Sequence, residues 1–417
     1  MTGSRHERVD GEGSAATRLP TDGGGSAAPR SPAAPADPSP TADATPGGLR
    51  FTPAPDLSIS VRARRARGEL EPDPTRPRAQ PMRGYEDTYV DIVDYIIRIT
   101  DRIWEDQDVG YIYDTYSPGC RVYNHHMQYG VESVLQHTLE ALSAFPDARH
   151  IADDVIWAGN EDEGFATSHR AVNVGRHLGA WEWGPATGAK IQTWVIANCV
   201  SQENVIFEEW IQDNACQRLM QCGVDLRAAA RRFGNAGRMD SIGERELAEV
   251  DRLRAGRPPR RAAEPPRGTS DLDALLRAYY HNLYNLRDLS AVDRLYSAGT
   301  RWHGPSDREG HGRQAPKAMA RNLLATFPDL GVAVDEVYWM GSAGEGYAAS
   351  VRWTGAGTHL GHSLYGEPTG RRVHLWGISQ LYLRDGEVVE EYGLFNEFDV
   401  LAQLLRDEPA ALEASRP

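Results

Sequence analysis

FPDARHIADDVIWAGNEDEGFATSHRAVNVGRH, residues 145–177, returns as FPDLGVAVDEVYWMGSAGEGYAASVRWTGAGTH, residues 327–359. The match runs on without a gap to Asn214 and Asn396, and 24 of the 70 aligned pairs are identical, where unrelated segments would agree at about four. The chain therefore carries one folding unit twice.

Working outward, each repeat is preceded by helical periodicity and is itself built on a period of two. In the first copy, Ile92, Ile96, Ile99 and Ile103 form one apolar stripe, which predicts a helix from about Tyr85 to Trp104. A helix over Val131–Ala144 follows. Alternation then predicts strands near 151–158, 164–177, 190–200 and 204–213, joined by turn-rich segments, with a last helix running toward Phe233. In the second copy Leu272, Leu275, Leu276, Tyr279, Leu283 and Leu286 repeat the opening stripe. Helices first and antiparallel strands after imply an α+β layout, with helices on one face of a curved sheet. The expected organisation is an unstructured arm (1–83), domain 1 (84–233), a linker with a short amphipathic helix (234–268), domain 2 (269–408) and a tail (409–417).

Composition narrows the function. The net charge of -14 argues against a phosphate-binding surface, so nucleic acid is excluded as a partner. No apolar run is long enough to span a bilayer and the start lacks a signal-peptide core, so a cytoplasmic protein without a membrane partner is expected. The four cysteines, Cys120, Cys199, Cys216 and Cys222, all lie in the first copy and form no C-x-x-C pair, which argues against a disulfide framework or a zinc site. The scattered His125, His126, His169 and His177 have no metal-ligand spacing. Neither metal nor cofactor is expected. The basic run VRARRARG (61–68) reads as solvated linker charge or as an arm lying on an acidic face.

In the second copy, THLG (358–361), GEPTGRRV (366–373), LRDGEVVEE (383–391) and the closing NEF…QLL (396–405) resemble the SnoaL-like polyketide cyclase and ester-cyclase branch of the nuclear transport factor 2-like superfamily. That resemblance covers each copy nearly end to end. It implies two tandem cones, each a bent antiparallel sheet wrapped around helices with an apolar pocket open at one end. It also implies a small-molecule substrate, polyketide-like or an ester, and cofactor-free acid/base chemistry: cyclisation, isomerisation, dehydration or hydrolysis. The Asp and His that serve the family's aldol cyclases align with Ile211 and Ala197 in copy one and with Gly393 and Ser379 in copy two. The other reading is a non-catalytic binding or scaffold protein, because this fold hosts both.

Strand alternation puts Glu209, Ile211 and Asp213 on one face, and because Ile211 stands at the family's catalytic position the resemblance implies that this face lines the pocket, with Glu391 likewise in copy two. A carboxylate facing an apolar pocket is either an acid/base or the partner of a buried cation, for which Arg170 and Arg352 are the candidates. His177 and His359 match a histidine that recurs in the family before the Pro-Thr-Gly turn, and stand as general bases or hydrogen-bonded rim residues. Catalysis is thus assigned to Glu209, Asp213, His177 and Arg170. Substrate contact is assigned to Tyr123, His125, Trp157, His169, Trp181, Trp183, His303, Arg352, His359 and Glu391. Trp194, Trp210, Trp376 and Tyr392 share the opposite face, which predicts that the copies pair through it as an internal pseudo-dimer. Further association into a homo-oligomer is left open.

Overall fold

The computed structural model describes residues 49–68, 75–237, 242, 244–255 and 259–407. Within them, the part of the expected arm that can be followed is packed rather than unstructured. Phe51, Ala54, Val61 and Met82 are buried. The basic run becomes helix α1 (Val61–Arg67), which Ser60 caps by accepting from the Ala63 amide. Its Arg64 turns inward to Asp91 and Asp94, while Arg62 and Arg65 reach Asp154 and Asp153. The burial escapes a compositional reading because a few apolar anchors are spread thinly among Gly, Pro and Arg.

The first copy runs α2 (Ile92–Trp104), α3 (Ile112–Thr115), β1 (Tyr116–Tyr123), β2 (Met127–Tyr129), α4 (Val131–Ala144), β3 (Arg149–Asn160), β4 (Gly164–Arg176), β5 (Lys190–Gln202), β6 (Val205–Asp213), α5 (Ala215–Gln221) and α6 (Leu226–Asn235). The connector carries α7 (Glu244–Ala255). The second copy repeats the plan as α8 (Leu272–Tyr280), a π-helical turn (His281–Asn285), α9 (Ser290–Leu295), β7 (Tyr296–Gly304), β8 (Arg308–His311), α10 (Gln314–Thr326), β9 (Gly331–Ser342), β10 (Gly346–Thr358), β11 (Arg372–Arg384), β12 (Glu387–Phe395) and α11 (Glu397–Leu405).

Local chemistry explains where the boundaries move. Helix α2 starts at Ile92 because Asp91 takes the N-cap and accepts from the Asp94 amide. The helix expected to run to Phe233 breaks at Gly223 (φ 69°), and Asp225 caps a new one. The connector tail is held where it is described: Glu264 pairs with Arg294, Arg261 with Asp288 and Arg267 with Glu387. Asn214 and Asn396 stand at helix starts but do not cap them; Asn214 accepts from the Ser306 amide and Asn396 from that of Trp376.

Two six-stranded sheets result, in the orders β2-β1-β6-β5-β4-β3 and β8-β7-β12-β11-β10-β9. Only β1 with β6 and β7 with β12 run parallel; the other neighbours are antiparallel. The β3–β4 hairpin turns at Gly159 (φ 104°), where a Cβ would fall 2.1 Å from the Gly164 carbonyl oxygen, and Gly341 repeats this in the second copy. No helix among the described residues is long and apolar enough to cross a membrane.

One face of each sheet wraps its own helices, and the other packs against its twin. Ser168, Arg170, Asn198 and Trp210 project to this shared side, and so do Ser350, Arg352, Gln380 and Tyr392. Asn198 donates to the Ser350 hydroxyl at 3.2 Å, and Gln380 donates to Ser168 at 2.9 Å. Arg170 lies 3.5 Å over the Tyr392 ring, and Arg352 lies 4.1 Å over Trp210. In these four, the contact made by one copy is answered by the equivalent contact from the other, as at a two-fold interface. Sheet edges β3 and β9 are bridged by the strap: Gly159 donates to the Thr52 carbonyl, and Ala54 exchanges two hydrogen bonds with Trp339 and Gly341. This covers two edges that would otherwise offer unpaired backbone.

Candidate active site

Inside the first cone lies a cavity of about 170 Å³. Its apolar floor comes from α2 and α4 through Ile96, Ile99, Ile103, Val134 and Leu142. Alternation supplies the sheet wall: His169, Ala171 and Asn173 from β4, Val195, Ala197 and Cys199 from β5, and Glu209, Ile211 and Asp213 from β6. His137 on α4, His150 on β3, Arg218 on α5 and Trp181 complete it.

Glu209 is 7% exposed and faces no cation. Tyr116 donates to its carboxylate at 3.0 Å and the Cys199 thiol donates at 3.4 Å. Burial pushes its pKa above the ordinary carboxylate value, with both hydrogen bonds working the other way. Asp213 behaves oppositely. Arg218 sits 2.6 Å from it and His125 3.4 Å, and although burial opposes them, these cations hold its carboxyl well below the usual range. His125 lies between two carboxylates, Asp213 and, at 2.7 Å, Asp399 from helix α11 of the second copy; the pair outweighs burial and raises its pKa well above that of a free imidazole.

The three cavity histidines stay neutral. Burial drives His137, His150 and His169 each down to about 4. His169 is 4% exposed and its Nε2 has no hydrogen-bond partner, nor do His150 Nδ1 or Asn173 Oδ1. These are polar atoms in a mostly apolar space, and their hydrogen-bonding capacity is unspent.

The second cone has only about 40 Å³ of space. Tyr280, Tyr284, Trp353 and Phe395 fill it, with Tyr284 and Trp353 stacked. Position by position, His137 is replaced by Met319, His150 by Val332, His169 by Val351, Ala171 by Trp353, Asp213 by Phe395 and Arg218 by Val400. The inner glutamate persists with its tyrosine partner: Glu391 is buried, accepts from Tyr296 at 2.6 Å and has its pKa raised by burial.

Of the residues singled out from sequence, Glu209, Asp213, His169 and Trp181 meet in the first cavity, and Glu391 lines the second. Arg170 and Arg352 do not reach either glutamate. They point to the opposite face, paired with Asp153 at 2.8 Å and Asp335 at 3.2 Å. His177 and His359 line neither cavity; each fastens its own turn through Nδ1, to Thr187 and Thr369. Tyr123 stacks on Trp210 and His303 on Tyr392, again on the outer face. Trp157 donates to the Ile59 carbonyl of the strap, and Trp183 packs against Phe398. His125, assigned to substrate contact, is buried and does not line the cavity. Tyr116, His137, His150, Asn173 and Arg218 were not anticipated. Most were legible in the repeat, where four of these five positions become apolar residues or glycine in the second copy. Among the described residues no cluster of His, Cys, Asp and Glu has the geometry of a metal site.

No curated protein matches the chain. Among solved structures, a SnoaL-like polyketide cyclase so named from Jannaschia sp. CCS1 is 22% identical over 35% of this chain and 99% of its own, with a TM-score of 0.29. IdmH, named as a polyketide cyclase of Streptomyces antibioticus, is 22% identical over 33% and 99%, with a TM-score of 0.28. AclR, named as a hydroxylase of Streptomyces galilaeus, is 25% identical over 30% and 90%, with a TM-score of 0.27. Residues 274–404, the second copy, match the family model of SnoaL-like polyketide cyclases. The chain is α+β, with one folding unit present twice, each copy wrapping a six-stranded sheet around its own helices.

Proposed function

We propose that the first copy is a cofactor-free enzyme that moves a proton at a carbon beside a carbonyl, on an apolar, oxygenated substrate of the polyketide-like or ester class. The observation that carries this reading is the contrast between the cavities. One is open and lined by His137, His150, His169, Asp213 and Arg218; its twin is plugged by aromatics and apolar at the equivalent positions. Glu209 is the base, since a buried carboxylate without a cation has its pKa moved toward working pH, as proton transfer from carbon requires. His169 stands two strands away and one inner-face position further along, roughly 12 Å diagonally across the wall, since it pairs with Ala197 and Ala197 with Ile211, while Glu209 pairs with Cys199. Glu209 takes the proton, the C–H electron pair passes to the carbonyl oxygen, and neutral His169 donates a hydrogen bond to that oxygen as charge develops. Returning the proton elsewhere isomerises the substrate; attack of the enolate on a second carbonyl cyclises it. The match of the second copy to the cyclase family model supports the same class. The paired outer faces act as an internal pseudo-dimer that fixes the cone.

The test is deuterium uptake at the α-carbons of cyclohexanone and of a β-keto ester in D2O, followed by proton NMR. Exchange at least about 100-fold above buffer is expected. Saturable binding of both compounds without exchange would instead establish the second reading, a ligand-binding protein. That reading draws on one observation: the Glu209–Tyr116 pair recurs as Glu391–Tyr296 in the plugged copy, where it serves the fold alone.

A further inference from the structure

We infer that the first cavity selects a ligand of about one six-membered ring that carries no negative charge and at least one hydrogen-bonding oxygen; this rests on the cavity being a ligand site, as proposed above. Size is the first argument. An apolar cavity of about 150 Å³ is known to hold benzene, so about 170 Å³ accommodates one substituted ring and not a row of fused rings. The aromatic plug of the second copy marks the boundary, since a single change of Ala171 to its counterpart Trp353 would consume much of that volume.

Charge is the second argument. Two cations, Arg218 and His125, face two carboxylates, Asp213 and Asp399, through contacts of 2.6, 3.4 and 2.7 Å. The fourth member comes from the second copy, so the balance is struck across the two domains. With these four compensated and the cavity histidines neutral, no cation remains to offset the desolvation of an anionic ligand. The third argument is the idle polarity of His169 Nε2, His150 Nδ1 and Asn173 Oδ1. His150 and Asn173 are cross-strand partners, and Asn173 and His169 share the inner face of β4, so all three mark one wall. A hydrocarbon would leave all three unpaired; a ketone oxygen accepts from an imidazole nitrogen that carries its proton, and an alcohol can in addition donate to Asn173 Oδ1.

Ligand-observed NMR titration of the full chain decides the matter with four probes: cyclohexanone, methylcyclohexane, cyclohexanecarboxylate and the three-ring ketone anthrone. Cyclohexanone is expected to bind one per chain, with the hydrocarbon and the carboxylate each at least about tenfold weaker and anthrone without saturable binding. The Ala171→Trp variant, which places in β4 a residue its twin already accommodates, is expected to lose cyclohexanone. Anthrone or the carboxylate binding as tightly as cyclohexanone would overturn the selectivity while leaving the site intact. Failure of all four probes would remove the ligand site, and the selectivity with it.

Discussion

At the scale of single residues, the chemistry turns on how burial is compensated. Glu209 and Asp213 lie on one strand face, two positions apart in the alternation, yet their acidities diverge because only Asp213 has cations beside it. Burial makes folded Glu209 hold its proton more tightly than the unfolded chain does. Its contribution to stability is therefore complete below the ordinary value near 4.5 and is lost as pH rises through the folded value. Glu209→Gln removes that loss. The melting temperature of the variant relative to the native chain is expected to rise as pH increases from about 4.5 through the folded value and then to level off; a difference independent of pH would mean the carboxylate is not desolvated.

At the scale of elements, the strap joins what the repeat alone would leave apart. Arg64 on α1 is buried against Asp91 at the start of α2, and removing one partner of a buried pair leaves the other uncompensated. Arg64→Met is expected to cost about 3–5 kcal/mol in urea denaturation. A loss below about 1 kcal/mol would show that α1 does not brace the first domain. In the sequence this element shows only as a basic run that could equally be solvated or lie on an acidic face, whereas β3 to β6 are plain. Strands announce themselves through alternation and through a second copy to check against, but Phe51 and Ala54 gain their partners from positions more than a hundred residues distant. Arg170 was misjudged for the same reason. Its alternation was readable, but its partner Gln380 lies in the other domain, and no periodicity shows which two faces meet. The site was half legible: Glu209, Asp213 and His169 followed from alternation, while Arg218 and His137 sit on helices whose inward faces only packing defines.

At the scale of the whole molecule, duplication has divided the labour. One cone keeps space and polarity; the other spends its interior on Tyr280, Tyr284, Trp353 and Phe395, each burying about 150–250 Å² and so favouring rigidity over binding. The second copy nonetheless reaches the first cavity's wall through Asp399 and His125. Because the two copies retain the same inner glutamate, they provide their own control. The deciding measurement is the rate of deuterium exchange into cyclohexanone for the native chain, for Glu209→Gln and for Glu391→Gln, with folding of each variant checked by circular dichroism. The account predicts a loss of at least about 100-fold in Glu209→Gln and a native rate in Glu391→Gln. Equal losses in both variants, or a native rate in both, would contradict it.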